Sequence, residues 1–198
     1  MNPVSENDPA SDLVYIYRPS LLGAPWSFRL TPTGISWEAG RQSGLVAYRD
    51  VRRVRLSFKP ISMQTHRYMA EIWAENAPKL RIVSSSWKSM VEQERLDKSY
   101  SAFLTELHRR LAEAHAPAVF EQGSHPLRFW PGVAIFAAIS LGLAFLIVRA
   151  LQSDAPAGAA FIAAFLGLFV WHGGNYFRRN RPGVYSPDAL PELLVPRS

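Results

Sequence analysis

The stretch FWPGVAIFAAISLGLAFLIV, residues 129–148, decides the architecture of this chain. It runs 20 residues without a charge. About 20 apolar residues in a helix cross a hydrocarbon core of about 30 Å. A second stretch, APAGAAFIAAFLGLFVWHGGNYF, residues 155–177, has only His172 and Tyr176 as titratable groups. A buried helix of a soluble protein nearly always keeps a polar face, and neither stretch has one. The two segments are therefore read as transmembrane helices over residues 129–151 and 155–177. Pro131 and Pro156 are placed in their first turns, where a missing N–H costs least.

Working outward, the connection Arg149–Asp154 is short, so the spans form an antiparallel hairpin with both chain ends on one side of the bilayer. Arg128 precedes the first span, and Arg178, Arg179 and Arg181 follow the second, while the turn offers only Arg149. Basic residues stay on the cytoplasmic side, which places both termini in the cytoplasm. Phe129, Trp130, Trp171, Tyr176 and Phe177 cluster near that same interface, where amphipathic rings settle. Residues 1–12 carry Glu6, Asp8 and Asp12, no Lys or Arg and no apolar run. That is the reverse of a secretory signal, and the segment reads as a disordered tail. Net charge is +6, of which +4 lies up to Arg128 and +2 beyond it, and there are no cysteines. Disulfides, thiolate metal sites and cysteine nucleophiles are thereby excluded.

Small residues recur every four positions in both spans: Ala134, Ala138 and Gly142 in the first, and Ala155, Ala159, Ala163 and Gly167 in the second. Such stripes let helix backbones approach closely in lipid. Two readings stand: the stripes face each other within one hairpin, or they form the contact of a homo-oligomer.

Before the spans the apolar period is two. Residues 13–17, 26–30, 35–39, 45–48, 54–58, 68–74 and 80–83 make about seven short strands separated by turn signals, with 38–44 read as a hairpin loop around two glycines and 59–66 as a loop around Pro60. After Trp87 the period changes. Leu96, Tyr100, Phe103, Leu107 and Leu111 form one face of a helix, with acidic residues near its start and Arg109 and Arg110 near its end, as the helix dipole favours. Ala116-Pro117 ends it. Residues 117–128 read as a linker and 178–198 as a basic, Pro-rich cytoplasmic tail. Leu193, Leu194 and Val195 in that tail are apolar enough to dock on the domain as an extended peptide.

Seven strands followed by one amphipathic helix resemble a pleckstrin-homology-like domain, over residues 13–116. The carrying features are the strand–helix order, Tyr48-Arg49-Asp50-Val51 leading into an aliphatic strand, and the Tyr100-x-x-Phe103-x-x-x-Leu107-His108 helix face. With the hairpin at 129–177, the chain is similar to a broad group of bacterial membrane proteins that pair such a domain with two spans. The resemblance implies a bent antiparallel sheet forming a partly open barrel, plugged by the helix, and a scaffolding role at the inner membrane. Eukaryotic relatives often bind phosphoinositides through a basic loop between the first two strands. Here Pro19–Pro25 has no basic residue, so that activity is not implied.

No nucleophile elbow, phosphate loop or dinucleotide fingerprint occurs. His108 and His115 share a helix face but lie about 10 Å apart along it, too far for one metal ion bound at about 2 Å from each nitrogen. Glu92, Glu94 and Asp97 are explained by the helix start, and no cofactor is expected. The cluster that invites a functional reading is Arg52, Arg53 and Arg55, with Arg49 beside it. Arg53 and Arg55 share one face of a strand, opposite Val54 and Leu56. They either solvate an outer face or touch anionic lipid headgroups or an acidic partner. Nucleic acid is not expected, because few aromatics interleave with a small patch. The sequence thus reads as a non-enzymatic, membrane-anchored interaction module whose partners are the lipid bilayer, a protein and a second copy of itself. An arginine-based sensor of anionic lipid is the alternative, and an accessory subunit of a membrane enzyme or transporter the third reading.

Overall fold

Alternating apolar residues from Leu13 to Val83 build two antiparallel sheets, and the two apolar stretches build two long helices. The computed structural model describes residues 12–60, 66–89 and 93–196; residues 1–11 of the acidic N-terminal tail read from the sequence, Glu92 and residues 61–65 of the Pro60 loop lie outside them, while Asp12 of that tail lies 3.7 Å from Arg29. Two units form: residues up to Glu121 together with those from Val184 on, and Gln122–Gly183.

The first sheet has the order β1(Leu13–Tyr17)-β2(Trp26–Leu30)-β3(Gly34–Ala39)-β4(Gln42–Ala47). A 3-10 turn over Tyr48–Asp50 leads into β5(Val51–Pro60), which pairs with β6(His66–Ala74) and through it with β7(Leu80–Val83). The sheet continues on the other side of β5 with β10(Val119–Gln122) and β11(Gly183–Val184). β8(Ser85–Trp87) and β9(Gln93–Arg95) form a small hairpin, and α1 spans Asp97–Glu113.

Period two holds because one face of each sheet is buried. Tyr15, Tyr17, Phe28, Leu30, Ile35, Trp37 and Val46 of the first sheet share one core with Val54, Leu56, Phe58, Ala70, Ile72 and Ile82 of the second. The α1 face read from the sequence closes it: Tyr100, Phe103, Leu107 and Leu111 are buried, joined by Leu104 and His108. Core tyrosines need partners for their hydroxyls. The Tyr15 hydroxyl donates to the Val83 carbonyl at 2.7 Å, Tyr17 to the Arg81 carbonyl and Tyr48 to the Thr31 carbonyl at 2.8 Å. Two of these bonds tie β1 to β7, so the two sheets are joined by side chains as well as by packing.

Several boundaries differ from the sequence reading. β5 runs over Val51–Pro60 and β6 begins at His66, so Lys59, Pro60 and His66 of the loop read over 59–66 are paired strand residues. The 38–44 loop shrinks to Gly40-Arg41, because Gly44 belongs to β4: a Cβ there would sit 3.1 Å from the Trp37 indole, so its bareness makes room for the ring. The 117–128 linker contains β10, with Phe120 buried, because the open edge of β5 supplies the hydrogen-bond partners that four residues alone could not. The 178–198 tail is part of the first unit from Val184 on. Tyr185, Leu190 and Val195 pack on the core, and Leu194 is 2% exposed.

The second unit is a helical hairpin, α2(Pro126–Gln152) and α3(Pro156–Arg179), both long and apolar enough to cross a membrane. Pro126 and Pro156 occupy their first turns, and the His125 ring accepts the Leu127 N–H at 3.3 Å. Pro131, read as a first-turn residue, lies inside α2 because the helix starts five residues earlier. There it cannot donate to the Leu127 carbonyl. At the neck of the hairpin the Ser124 N–H donates to the Asn180 carbonyl at 2.9 Å. Gly123 has φ +75°, and a Cβ on it would meet the carbonyl oxygens of Asn180 and Arg181 at 2.4 Å. A non-glycine residue in that conformation costs about 1–3 kcal/mol before any collision. Gly123→Ala will lower the melting temperature of the detergent-solubilised chain. An unchanged transition would mean the neck relaxes freely.

Between the helices the packing is aromatic. The Phe136 ring lies 4.9 Å from that of Phe169 and 5.2 Å from that of Phe177. Gly173 fits beneath Phe136, where a Cβ would come within 2.3 Å of the ring. Of the small-residue stripes only Ala159 is buried; Ala134, Ala138, Gly142, Ala163 and Gly167 are exposed, and nothing lies within 4 Å of where the Cβ of Gly142 or Gly167 would be. The stripes therefore do not hold the two helices of one chain together. Phenylalanine rings set the spacing instead, and the small residues are left on the outside of the hairpin.

Candidate functional site: the arginine face and the tail latch

Register puts Arg53 opposite Trp73 and Arg55 opposite Glu71, on the face of the second sheet turned away from the core. Arg52 is the extra residue of a bulge between Val51 and Arg53, and this breaks its alternation with them. Its guanidinium pairs with Glu75 at 2.7 Å. Arg53 reaches Glu121 at 3.6 Å, and Arg55 holds the same carboxylate through Nε, at 2.8 Å, and a second nitrogen. Both guanidinium groups also approach the Trp73 ring, at 5.5 Å and 5.4 Å, and Lys79 approaches it at 5.4 Å. Lys79 pairs in turn with Glu71 at 2.8 Å, with Arg81 3.8 Å from the same carboxylate.

The structure thus brings Arg53 and Arg55 together and sends Arg52 to a different carboxylate. Exposed pairs of this kind contribute about 0–1 kcal/mol each. The half-shielded Arg55–Glu121 contact is the strongest, since two donors converge on one acid. Trp73, Glu121 and Lys79 were not singled out in the sequence. Trp73 could have been found by aligning the alternation of β5 with that of β6. Glu121 could not, because it lies in a strand recognisable only by its place at the edge of β5.

A second polar arrangement lies on α1. The spacing of His108 on its helix reads as that of a partly exposed histidine, but the structure buries it fully. Its Nδ1 donates to the Leu104 carbonyl at 2.7 Å, so its Nε2 accepts the Tyr185 hydroxyl at 2.8 Å. Phe120 lies against both rings. Burial favours the neutral imidazole and holds its pKa down to about 4, against an ordinary 6.5. The depressed value fixes the sign of the pH effect. Stability from this group is complete above about pH 6.5. It is lost as the pH falls towards 4, because the unfolded chain then takes up a proton that the native ring refuses. The window corresponds to about 3 kcal/mol. His108→Gln will be less stable than the parent at pH 7 and will lose less stability on acidification, measured by urea unfolding at both pH values. Parallel losses would show that His108 does not titrate in this window.

Among the described residues no group of His, Asp and Glu is placed to hold a metal ion. Comparison of the chain with protein-family models, with curated proteins and with solved structures finds no match.

Proposed function

We propose that this chain is a membrane-anchored interaction module: a pleckstrin-homology-like domain carried on a transmembrane hairpin at the inner membrane of a bacterial cell, with both termini in the cytoplasm. The strand–helix order supports the fold assignment, and the arginines flanking the spans support the orientation. The observation that carries the function is the outer face of the first sheet. Val14, Ile16 and Leu45 are 41%, 55% and 60% exposed there, and Val14 and Leu45 lie on one cross-strand row through Arg29 and Ser36. Apolar side chains interspersed with Arg29 and Ser36 give this face the mixed apolar and polar character of a protein-binding surface.

The lipid-headgroup reading rests on the opposite sheet. Arg52, Arg53, Arg55, Lys79 and Arg81 exceed their carboxylates Glu71, Glu75 and Glu121 by two charges. Its arginines already have partners, and anionic headgroups would have to compete with them. A photo-crosslinking residue at Ile16 of the full-length chain in native membranes separates the two. The interaction reading expects a discrete protein adduct, unchanged when Arg52, Arg53 and Arg55 are all replaced by Gln. Adducts to lipid alone, or loss of the protein adduct in the triple variant, would overturn it.

A further inference from the structure

A strand at the margin of a sheet leaves one side of its backbone unpaired, and proteins blunt such margins unless they use them. Most margins here are blunted. The β5 edge is taken by β10, and β11 beyond it is two residues long. At β7 the carbonyls of Val83 and Arg81 accept the Tyr15 and Tyr17 hydroxyls. At the end of β1 the Arg18 carbonyl accepts the Trp87 N–H at 3.1 Å, and the Arg18 N–H donates to the Ser86 hydroxyl at 3.0 Å.

β4 differs. Gln42–Ala47 carries no charge and no proline, and its register with β3 runs without a bulge. The turn before it is Gly40-Arg41, with Gly40 at φ +69°. In a two-residue hairpin turn of this kind the flanking pair, here Ala39 and Gln42, exchanges both backbone hydrogen bonds. Alternation then turns the N–H and C=O of Ser43 and Leu45 away from β3. Both residues are exposed. Among the described residues no backbone group outside the hairpin meets them.

Arginines stand at both ends of this edge. Arg41 is exposed and in no ion pair among the described residues. Arg49, just past Ala47, is 84% exposed, with the Asp50 carboxylate 3.9 Å away. The exposed acid Glu38 lies opposite Ser43 on β3, one strand spacing of about 4.8 Å further from the edge.

We propose that the β4 edge takes an extended, acidic segment of a partner protein as the fifth strand of the first sheet. This rests on the outer face of that sheet being the interaction surface, and it supplies the mode of binding. Main-chain bonds to Ser43 and Leu45 hold the segment, and its alternate side chains give specificity. The added strand extends the row Val14, Arg29, Ser36, Leu45 by one residue, apolar to match Leu45. An acidic residue further along the segment meets Arg41, and opposite charge selects the partner. A second copy of this chain fits less well. Antiparallel overlap centred on Leu45 sets each Arg41 against the other copy's Arg49, and like charges directly opposite are destabilising.

The test places a photo-crosslinking residue at Leu45 of the full-length chain in native membranes, beside the Ile16 position used above. The proposal expects a protein adduct at Leu45 whose crosslinked peptide, identified by mass spectrometry, is acidic. It also expects that adduct to be lost in Ser43→Pro, which removes an outward N–H where an edge strand tolerates proline, and retained in Ser43→Ala. Arg41→Glu, a change in an exposed turn, will weaken it without lowering the melting temperature. An adduct at Ile16 with none at Leu45 overturns the edge and leaves the interaction surface standing. A Leu45 adduct indifferent to both Ser43→Pro and Arg41→Glu also overturns it. So does an adduct of twice the chain's mass, which is a second copy, or a crosslink to residues 1–11 of the same chain. Absence of protein adducts at both positions overturns the surface and the edge together.

Discussion

A fragment ending at Gln122 will be less stable by about 2.5–6 kcal/mol than a soluble chain in which Gln122 is joined to Gly183 by a short Gly/Ser linker. The fragment lacks Leu194, whose burial is worth about 1.5–3 kcal/mol. It also strips the Tyr185 hydroxyl from His108, leaving a buried ring nitrogen without its donor at a cost of about 1–3 kcal/mol. The linked chain retains both, and β10 and β11 remain neighbours in the sheet. Urea titration of the two proteins gives the comparison directly. Coincident midpoints would show that the tail rides on the domain without stabilising it. The sequence reading, which ends the domain at Ala116, expects the shorter fragment to suffice.

The second large effect is at Phe103. Its ring is completely buried, 5.6 Å from Tyr15, where α1 meets β1. Phe103→Ala removes that contact and leaves a cavity, costing about 3–5 kcal/mol. In a unit of this size, this corresponds to a fall in melting temperature of roughly 10 °C or more. Thr105, exposed on the same helix, provides the control: Thr105→Ala will change stability by no more than about 0.5 kcal/mol. Equal effects at the two positions would mean that α1 buries a different face.

Much of this was legible because it is local. Period two in residues 13–83 and period close to 3.6 after Leu96 are visible in any window of a dozen residues. They led to β1–β7, to α1 and to its buried face. The two apolar helices declare themselves by length and lack of charge. These features depend on which side of a single element is apolar.

What required the tertiary structure depends on partners distant in the chain. β10 and β11 are four and two residues long; neither shows a period, and β10 is a strand only because β5 offers an open edge, β11 only because β10 then offers the next one. His108 is a buried acceptor only because Tyr185, 77 residues later, returns to it. Glu121 claims Arg53 and Arg55 across 66 and more residues. In the hairpin, spacing alone left two readings, small residues facing each other within one chain or facing a second copy. The bulk of Phe136, Phe169 and Phe177 decided against the first. Three rings and the gap above Gly173 set the helix spacing, and side-chain volume of that kind cannot be read from a repeat of four.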